Sequence, residues 1–463
     1  MAGPGFTPHS IPLPRGGEGV IRIANAQGFW GDDADAPARL VSQAAVDVLT
    51  LDYCAEVSMS ILARQKQKDP TLGYARDFLE TLKTLVPFLK GGGRLVTNAG
   101  GLNPRECAMA SASLLKQAGL HTSLGIVEGD DVLNQVRQSP SDFSHLESSR
   151  PITEVLDRLL TANAYIGAEP VAQALRQGAQ IVIAGRLADP SLVVGPAAAH
   201  FGWSFEDWDR LAGATIAGHV IECGAQATGG ISTHWMSLDR VADIGFPIVE
   251  IATDGSFIVT KPPNTGGEVS DRTVKEQLLY EMGDPGNFLT PDVTASILPA
   301  QVRDLGGDRV GVIGVAGSPR PQKYKVSATY RAGFRSTCML TIVGRGAVAK
   351  ARRSGQVVRD KLLARGLTLE RLHIEVLGAG DAALGILGMR DDLTEVVLRI
   401  TAADPRREAI EFFSRQLVPL VTAGPQGTTG YFDARGDVRE YYAFWPTLID
   451  RDRVQINVEL MRA

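Results

Sequence analysis

The sequence predicts an α/β fold: a mainly parallel, helix-covered sheet in the N-terminal part, then a smaller C-terminal α/β domain of the α+β sandwich type. Two observations predict it. Five strand–loop–helix units follow one another in fewer than 200 residues, the pattern of a sheet covered by crossover helices. Composition then shifts near Tyr330, and the order becomes strand, helix, strand, strand, helix.

In the first unit VIRIA (20–24) runs into the polar loop 25–33 and a helix at 36–45. A strand at 46–53 ends at Asp52 and precedes the helix-like AEVSMSILARQKQ. The strand at 94–97 meets the loop NAGGLNP and a helix at 105–118. HTSLGIVEGDD is the fourth strand and ends at Glu128-Gly129-Asp130-Asp131. The strand at 181–184 ends at Gly185-Arg186 and Asp189. In a parallel sheet these loops gather at one edge, where ligands bind. The edge would hold Asn25, Gly28, Asp32, Asn98, Gly100, Gly101, Glu128, Asp130, Arg186 and Asp189 as substrate-binding candidates. Taken singly, each Asp or Asn also serves as a helix cap or turn former.

Further along, a helix at 274–280 exits at Gly283-Asp284-Pro285, and a strand follows at 308–317. Beyond a Pro-rich crossover containing Tyr324-Lys325 come a strand at 336–343, a helix at 347–365, strands at 372–377 and 395–401, a helix at 405–420 and the last strand VQINVEL. The expected division is a flexible arm at 1–19, a main α/β domain at 20–330 carrying the site, and a C-terminal domain at 331–463.

Composition narrows the function. With 44% hydrophobic and 21% charged residues the chain fills a large core and is not disordered. A net charge of −5 argues against a general nucleic-acid binder. Cys54, Cys107, Cys223 and Cys338 are scattered without a C-x-x-C pair, so a reduced, cytoplasmic protein is expected. No apolar run is long enough for a membrane span. Neither G-x-G-x-x-G nor G-x-x-x-x-G-K-[ST] occurs, so dinucleotide and P-loop sites are not supported.

The richest chemistry lies between Gly218 and Gly267, where GHVIECGAQATGG and DGSFIVTKPPNTGG each close on a Gly-Gly pair. Candidate catalytic residues are Glu222 and His219 as acid or base, Cys223 as an alternative nucleophile, and Lys261 as a cation. Gln226, Gly229, Gly230, Thr265, Gly266 and Gly267 are the associated substrate-binding candidates, with glycine N–H groups offered to an oxyanion. Lys261 and Arg186 suit a carboxylate or phosphate. A lone cysteine is more often a small buried apolar residue than a nucleophile. No metal is assigned; a divalent cation held by Asp32, Asp33, Asp130 and Asp131 is the lesser alternative.

Together, IRIANAQGFWGD, NAGGLNP, VEGDD, AGRLADPSL, GHVIECGAQATGG, TKPPNTGG, VKEQLLYEMGDPGNFLTPDV and PRPQKYKV resemble the AtuA-type acyclic terpene utilisation family over nearly the whole chain. The resemblance implies catabolism of branched or acyclic terpenoid-like carboxylic acids or their CoA thioesters. Acid/base chemistry then points to a hydratase/lyase or isomerase without a cofactor, with CoA entering only as part of the substrate where that is a thioester. A Cys223-dependent acyl transferase or thioesterase, or a non-catalytic binding subunit, are the alternatives. Longer relatives carry a ferredoxin-like module with a Ser-Gly-Asp-Lys-Gly type motif that is absent here, so the resemblance implies either that the protein works without the module or that a separate small ferredoxin-like subunit supplies it as a partner. A homo-oligomer is expected for a metabolic enzyme of this size.

Overall fold

The structure, a computed structural model, describes residues 19–463. Residues 1–18 of the expected arm lie outside the described residues. The chain forms two compact units. The first takes in residues up to Leu156, Leu160–Thr329 and Trp445–Ala463; the second takes in Asp157–Leu159 and Tyr330–Phe444.

The first unit is built on strands β1 (Val20–Asn25), β2 (Val48–Leu51), β3 (Arg94–Thr97), β4 (Ser123–Glu128), β5 (Ile181–Ala184), β6 (Ile248–Ala252), β7 (Phe257–Thr260), β8 (Gln301–Asp304) and β9 (Val310–Ile313). The later strands β10 (Lys323–Val343), β11 (Arg371–Leu377), β12 (Glu395–Asp404) and β13 (Asn457–Arg462) follow the same numbering. The ten-stranded sheet has the order β8-β9-β7-β6-β1-β2-β3-β5-β4-β13.

The expectation of a mainly parallel sheet needs correcting. Only the run β1-β2-β3-β5-β4 is parallel. The flanks β6 to β9 and the edge strand β13 pair antiparallel. The cause is local: β6 and β7 are joined by Thr253-Asp254-Gly255-Ser256, far too short for a crossover. The sheet is mixed, and the fold is α/β.

Its central strands VLTL and IVIA are buried at every position, as continuous apolar runs in a covered sheet should be. Leu49, Leu51, Leu95, Ile181 and Ile183 pack with Leu40, Phe78, Leu82, Cys107 and Leu115 from the helices on one face. The helices Ser191–Phe201 and Trp208–Glu222 pack against β1 and lie on the opposite side, where Thr50 and Asn25 point.

In the second unit β12 pairs antiparallel with β11 and with Phe334–Val343 of β10. Helix Ala347–Ala364 covers this sheet through Val348, Val358 and Leu362. The single helix expected at 405–420 is two pieces, Arg407–Phe413 and Leu420–Ala423. Pro419, lacking an N–H, starts a new turn there. Among the described residues no helix is long and apolar enough to cross a membrane.

Candidate functional site

The site begins with the last turn of helix Trp208–Glu222. This helix reads WDRLAGATIAGHVIE, and residues Leu211–Ile221 are all buried. Small side chains let neighbours come close. A β-carbon on Gly218 would stand 2.7 Å from the Pro190 carbonyl oxygen, so glycine here brings Asp189-Pro190 against the turn bearing His219 and Glu222. The helix end is held from β1. Asn25 Nδ2 donates to the Ile221 and Glu222 carbonyls, each at 2.8 Å. Carbonyls of a last turn lack i+4 donors; the Cys223 N–H also reaches the Ile221 carbonyl, and the side-chain amide serves both. Gly28 permits the same approach: its β-carbon would lie 2.8 Å from the Cys223 carbonyl carbon.

His219, Glu222 and Asp189 line a cavity of about 450 Å³ within the first unit. Its walls are largely apolar, with Leu146, Phe288, Leu289, Pro291, Tyr324 and Leu448, while Tyr165, Glu281, Lys323 and Lys325 add polar groups. An apolar cavity with few converging polar groups is the usual form of a small-molecule site. His219 Nδ1 and Glu222 Oε1 are 3.0 Å apart. The histidine is 2% exposed and the glutamate side chain 13%, so the pair is largely desolvated at the cavity wall. Glu222 Oε2 has no hydrogen-bond partner.

Burial pushes the Glu222 carboxyl up to about 7, with Asp189 and Glu281 adding to the rise and His219 opposing it. For His219 burial disfavours the cation, but the bond and charge of Glu222 outweigh it and raise the imidazole above its ordinary value. No bond of good geometry reaches His219 Nε2, although the Leu278 backbone is near enough to the ring to favour the cation. Burial thus keeps the Glu222 proton toward neutrality, with His219 as its hydrogen-bonded partner.

Behind the cavity lies a buried charge network. Arg186, 1% exposed, bonds Asp189 at 2.5 Å, and its guanidinium lies 4.0 Å from the Tyr165 ring centroid. The Tyr165 hydroxyl donates to Glu56. Asp130 accepts from Asn163 and from the Arg186 N–H, and burial pushes it up to about 6. Asn98 donates to Asp52 at 2.7 Å and accepts from the Tyr53 N–H, again at 2.7 Å. Burial, then the charge of Asp189, pushes the Asp52 carboxyl well up.

The other candidate residues stand apart from the cavity lining. Asp32 accepts from the Gly28 N–H, and Glu128 pairs with Arg105 at 3.1 Å. Gly100 and Gly101 form the turn after β3, and the Gly101 N–H donates to Asn98. Gln226 lies in the short helical turn Gly224–Thr228. The N–H groups of Gly229, Gly230, Gly266 and Gly267 each donate to a backbone carbonyl. Thr265 Oγ1 donates to the Pro262 carbonyl. Lys261 pairs with Asp308 at 3.0 Å and donates to the Thr265 carbonyl. Cys223 is half-buried at the helix end; burial, then Glu222, pushes its thiol up. Among the described residues no three His, Cys, Asp or Glu side chains are grouped as a metal site.

Sequence reasoning missed Tyr165, Glu281 and Phe288. Glu281 sits in a helix-exit sequence, YEMGDPG, that reads as a turn, yet its φ of +55° is one a non-glycine residue rarely adopts. Phe288 stacks obliquely on His219 with ring centroids 5.2 Å apart.

Residues 21–460 match the family model described as acyclic terpene utilisation family protein AtuA. No curated protein and no solved structure matches the chain.

Proposed function

The chain belongs to the acyclic terpene utilisation family AtuA, and on that premise we propose that it is an acid/base enzyme acting on branched acyclic acids or their thioesters, as a hydratase/lyase or an isomerase. The observation that carries the reading is the His219–Glu222 pair opening onto the apolar cavity. The apolar wall suits a branched hydrocarbon chain. The Glu222 carboxylate takes a proton from the carbon next to the carbonyl, and that C–H electron pair moves onto the carbonyl oxygen. When the enolate collapses, either a β-hydroxyl leaves as water with a proton from His219, or the proton returns at another carbon. A base poised near neutrality suits this step. Lys325, which lines the cavity, is the cation for the enolate oxygen. In this reading it takes the part expected of the N–H groups of Gly229, Gly230, Gly266 and Gly267, which donate to backbone carbonyls instead.

Acyl transfer through Cys223 has less support, because the thiol is pushed toward its protonated form and does not line the cavity. The test is exchange in deuterated water. Wild type incubated with branched unsaturated or β-hydroxy acids, free and as CoA thioesters, should give deuterium incorporation or a change in water content by mass spectrometry. Glu222→Gln should lower that rate by about 100-fold or more. A Glu222→Gln protein as active as wild type, or loss of activity in Cys223→Ala alone, would sink the reading.

A further inference from the structure

A second cavity, of about 830 Å³, adjoins the first within the same unit. Pro321 lines both. Arg451, which lines the second, donates to the Pro291 carbonyl at 2.9 Å, and its guanidinium lies 4.0 Å from the Tyr324 ring centroid. Pro291 and Tyr324 line the first cavity. The two spaces are thus separated by little more than a proline and a tyrosine ring.

Their chemistry differs. The second cavity presents Arg176, Arg320 and Arg451 against Glu169 and Glu206, with the half-buried rings of Phe205 and Trp208. Arg320 pairs with Glu169 at 3.2 Å. Arg176 donates to the Ala198 and Trp203 carbonyls instead, and Arg451 to Pro291. Among the described residues neither Arg176 nor Arg451 has a carboxylate within ion-pair distance. Arg451 is half-buried, and burial holds it below the ordinary arginine value, with Arg320 adding to the fall and Tyr324, Asp292 and Glu169 opposing it. Three guanidinium groups thus face two carboxylates, and two of the three are held by backbone carbonyls alone, which leaves positive charge for an arriving anion. An arginine needed only to pack on Tyr324 would not require two others in the same cavity.

We infer that this second cavity holds the phosphate-bearing adenosine end of coenzyme A, while the acyl chain lies in the first. The inference rests on the proposed acid/base reading for what occupies the first cavity. Arginine forks match phosphate oxygens, and the aromatic rings offer a stacking surface to a base. A free acid carries a single carboxylate and no aromatic group, so it would leave most of this lining unused.

The experiment is titration calorimetry on the full chain with coenzyme A, adenosine bisphosphate, inorganic pyrophosphate and a free branched acid. Variants are Arg451→Gln and, because Arg451 also supports Pro291, Arg320→Gln, a residue that pairs with the exposed Glu169. Coenzyme A and adenosine bisphosphate should bind wild type, and each variant should weaken both by about tenfold while leaving the free acid unchanged. Pyrophosphate binding as tightly as adenosine bisphosphate would overturn the adenosine assignment. Absence of coenzyme A binding at about millimolar concentration, or binding of coenzyme A by both variants as tight as that of wild type, would overturn the whole inference. Glu222→Gln separates the two readings: it should bind coenzyme A as wild type does. If it also turns over as wild type does, the acid/base reading falls while the coenzyme A result stands.

Discussion

Glu222 carries a pH signature because burial lifts its carboxyl from an ordinary value of 4.5 to about 7. Across that window the folded chain holds the proton more tightly than the unfolded chain does. Stability is therefore present at low pH and is lost as pH rises toward 7 and beyond. His219, raised by the same partner, adds a contribution of the same sign. Glu222→Gln removes both. Its melting temperature relative to wild type should rise steadily from about pH 5 to about pH 8. Asp130, pushed up to about 6, remains in both proteins and cancels in the comparison. A constant difference across the range would show that Glu222 titrates as an ordinary carboxyl. The residue types of this pair were visible in the sequence; the desolvation that tunes them was not, because it comes from Phe288, Leu289 and other residues distant in the chain.

The helix Trp208–Glu222 depends at its end on Asn25, a residue of β1. Asn25→Ala would leave the Glu222 carbonyl without a donor and the Ile221 carbonyl with only the Cys223 N–H, and a carbonyl left unpaired costs about 1–3 kcal/mol. Thermal melts followed by circular dichroism should show a clear fall in stability. The activity of the folded variant should also fall, because the turn holding Glu222 loses its anchor. Unchanged stability would mean that water or another group satisfies those carbonyls. This element was hard to read from sequence. A helix buried on all sides has no polar face, hence no 3.6-residue period to detect, and GHVIECGAQATGG reads instead as a glycine-bearing loop. Helices with a solvent face, such as Ala36–Gln43, Pro104–Gln117 and Ala347–Ala364, lie within a few residues of where their periodicity places them.

At the scale of the whole molecule, the chain's last strand returns to the large sheet. β13 pairs antiparallel with β4 from Asn457 to Arg462 and gives that edge its final strand. Shortening the chain before Asn457 would uncover β4, whose Leu124, Ile126 and Val127 are buried. An apolar strand with free edge N–H and carbonyl groups is a template for pairing with other chains. The shortened protein should melt lower and form aggregates detectable by light scattering, whereas wild type stays dispersed under the same conditions. A shortened chain that melts and disperses like wild type would show that β13 contributes little to the sheet.

By itself the sequence determined the α/β class, the positions of strands such as Arg94–Thr97 and Ile181–Ala184, and the chemical inventory at the strand ends. These follow from side-chain periodicity and turn chemistry, which act over a few residues. Only the tertiary structure decided that the sheet is mixed, because strand direction depends on partners distant in the chain. It also decided which polar residues meet. Asp189, His219 and Glu222 share a cavity because Gly218 admits Pro190 at close range. Lys261 faces Asp308, and Asn98 faces Asp52. Convergence of this kind is set by strand order and close packing between separate elements, and no local pattern encodes it.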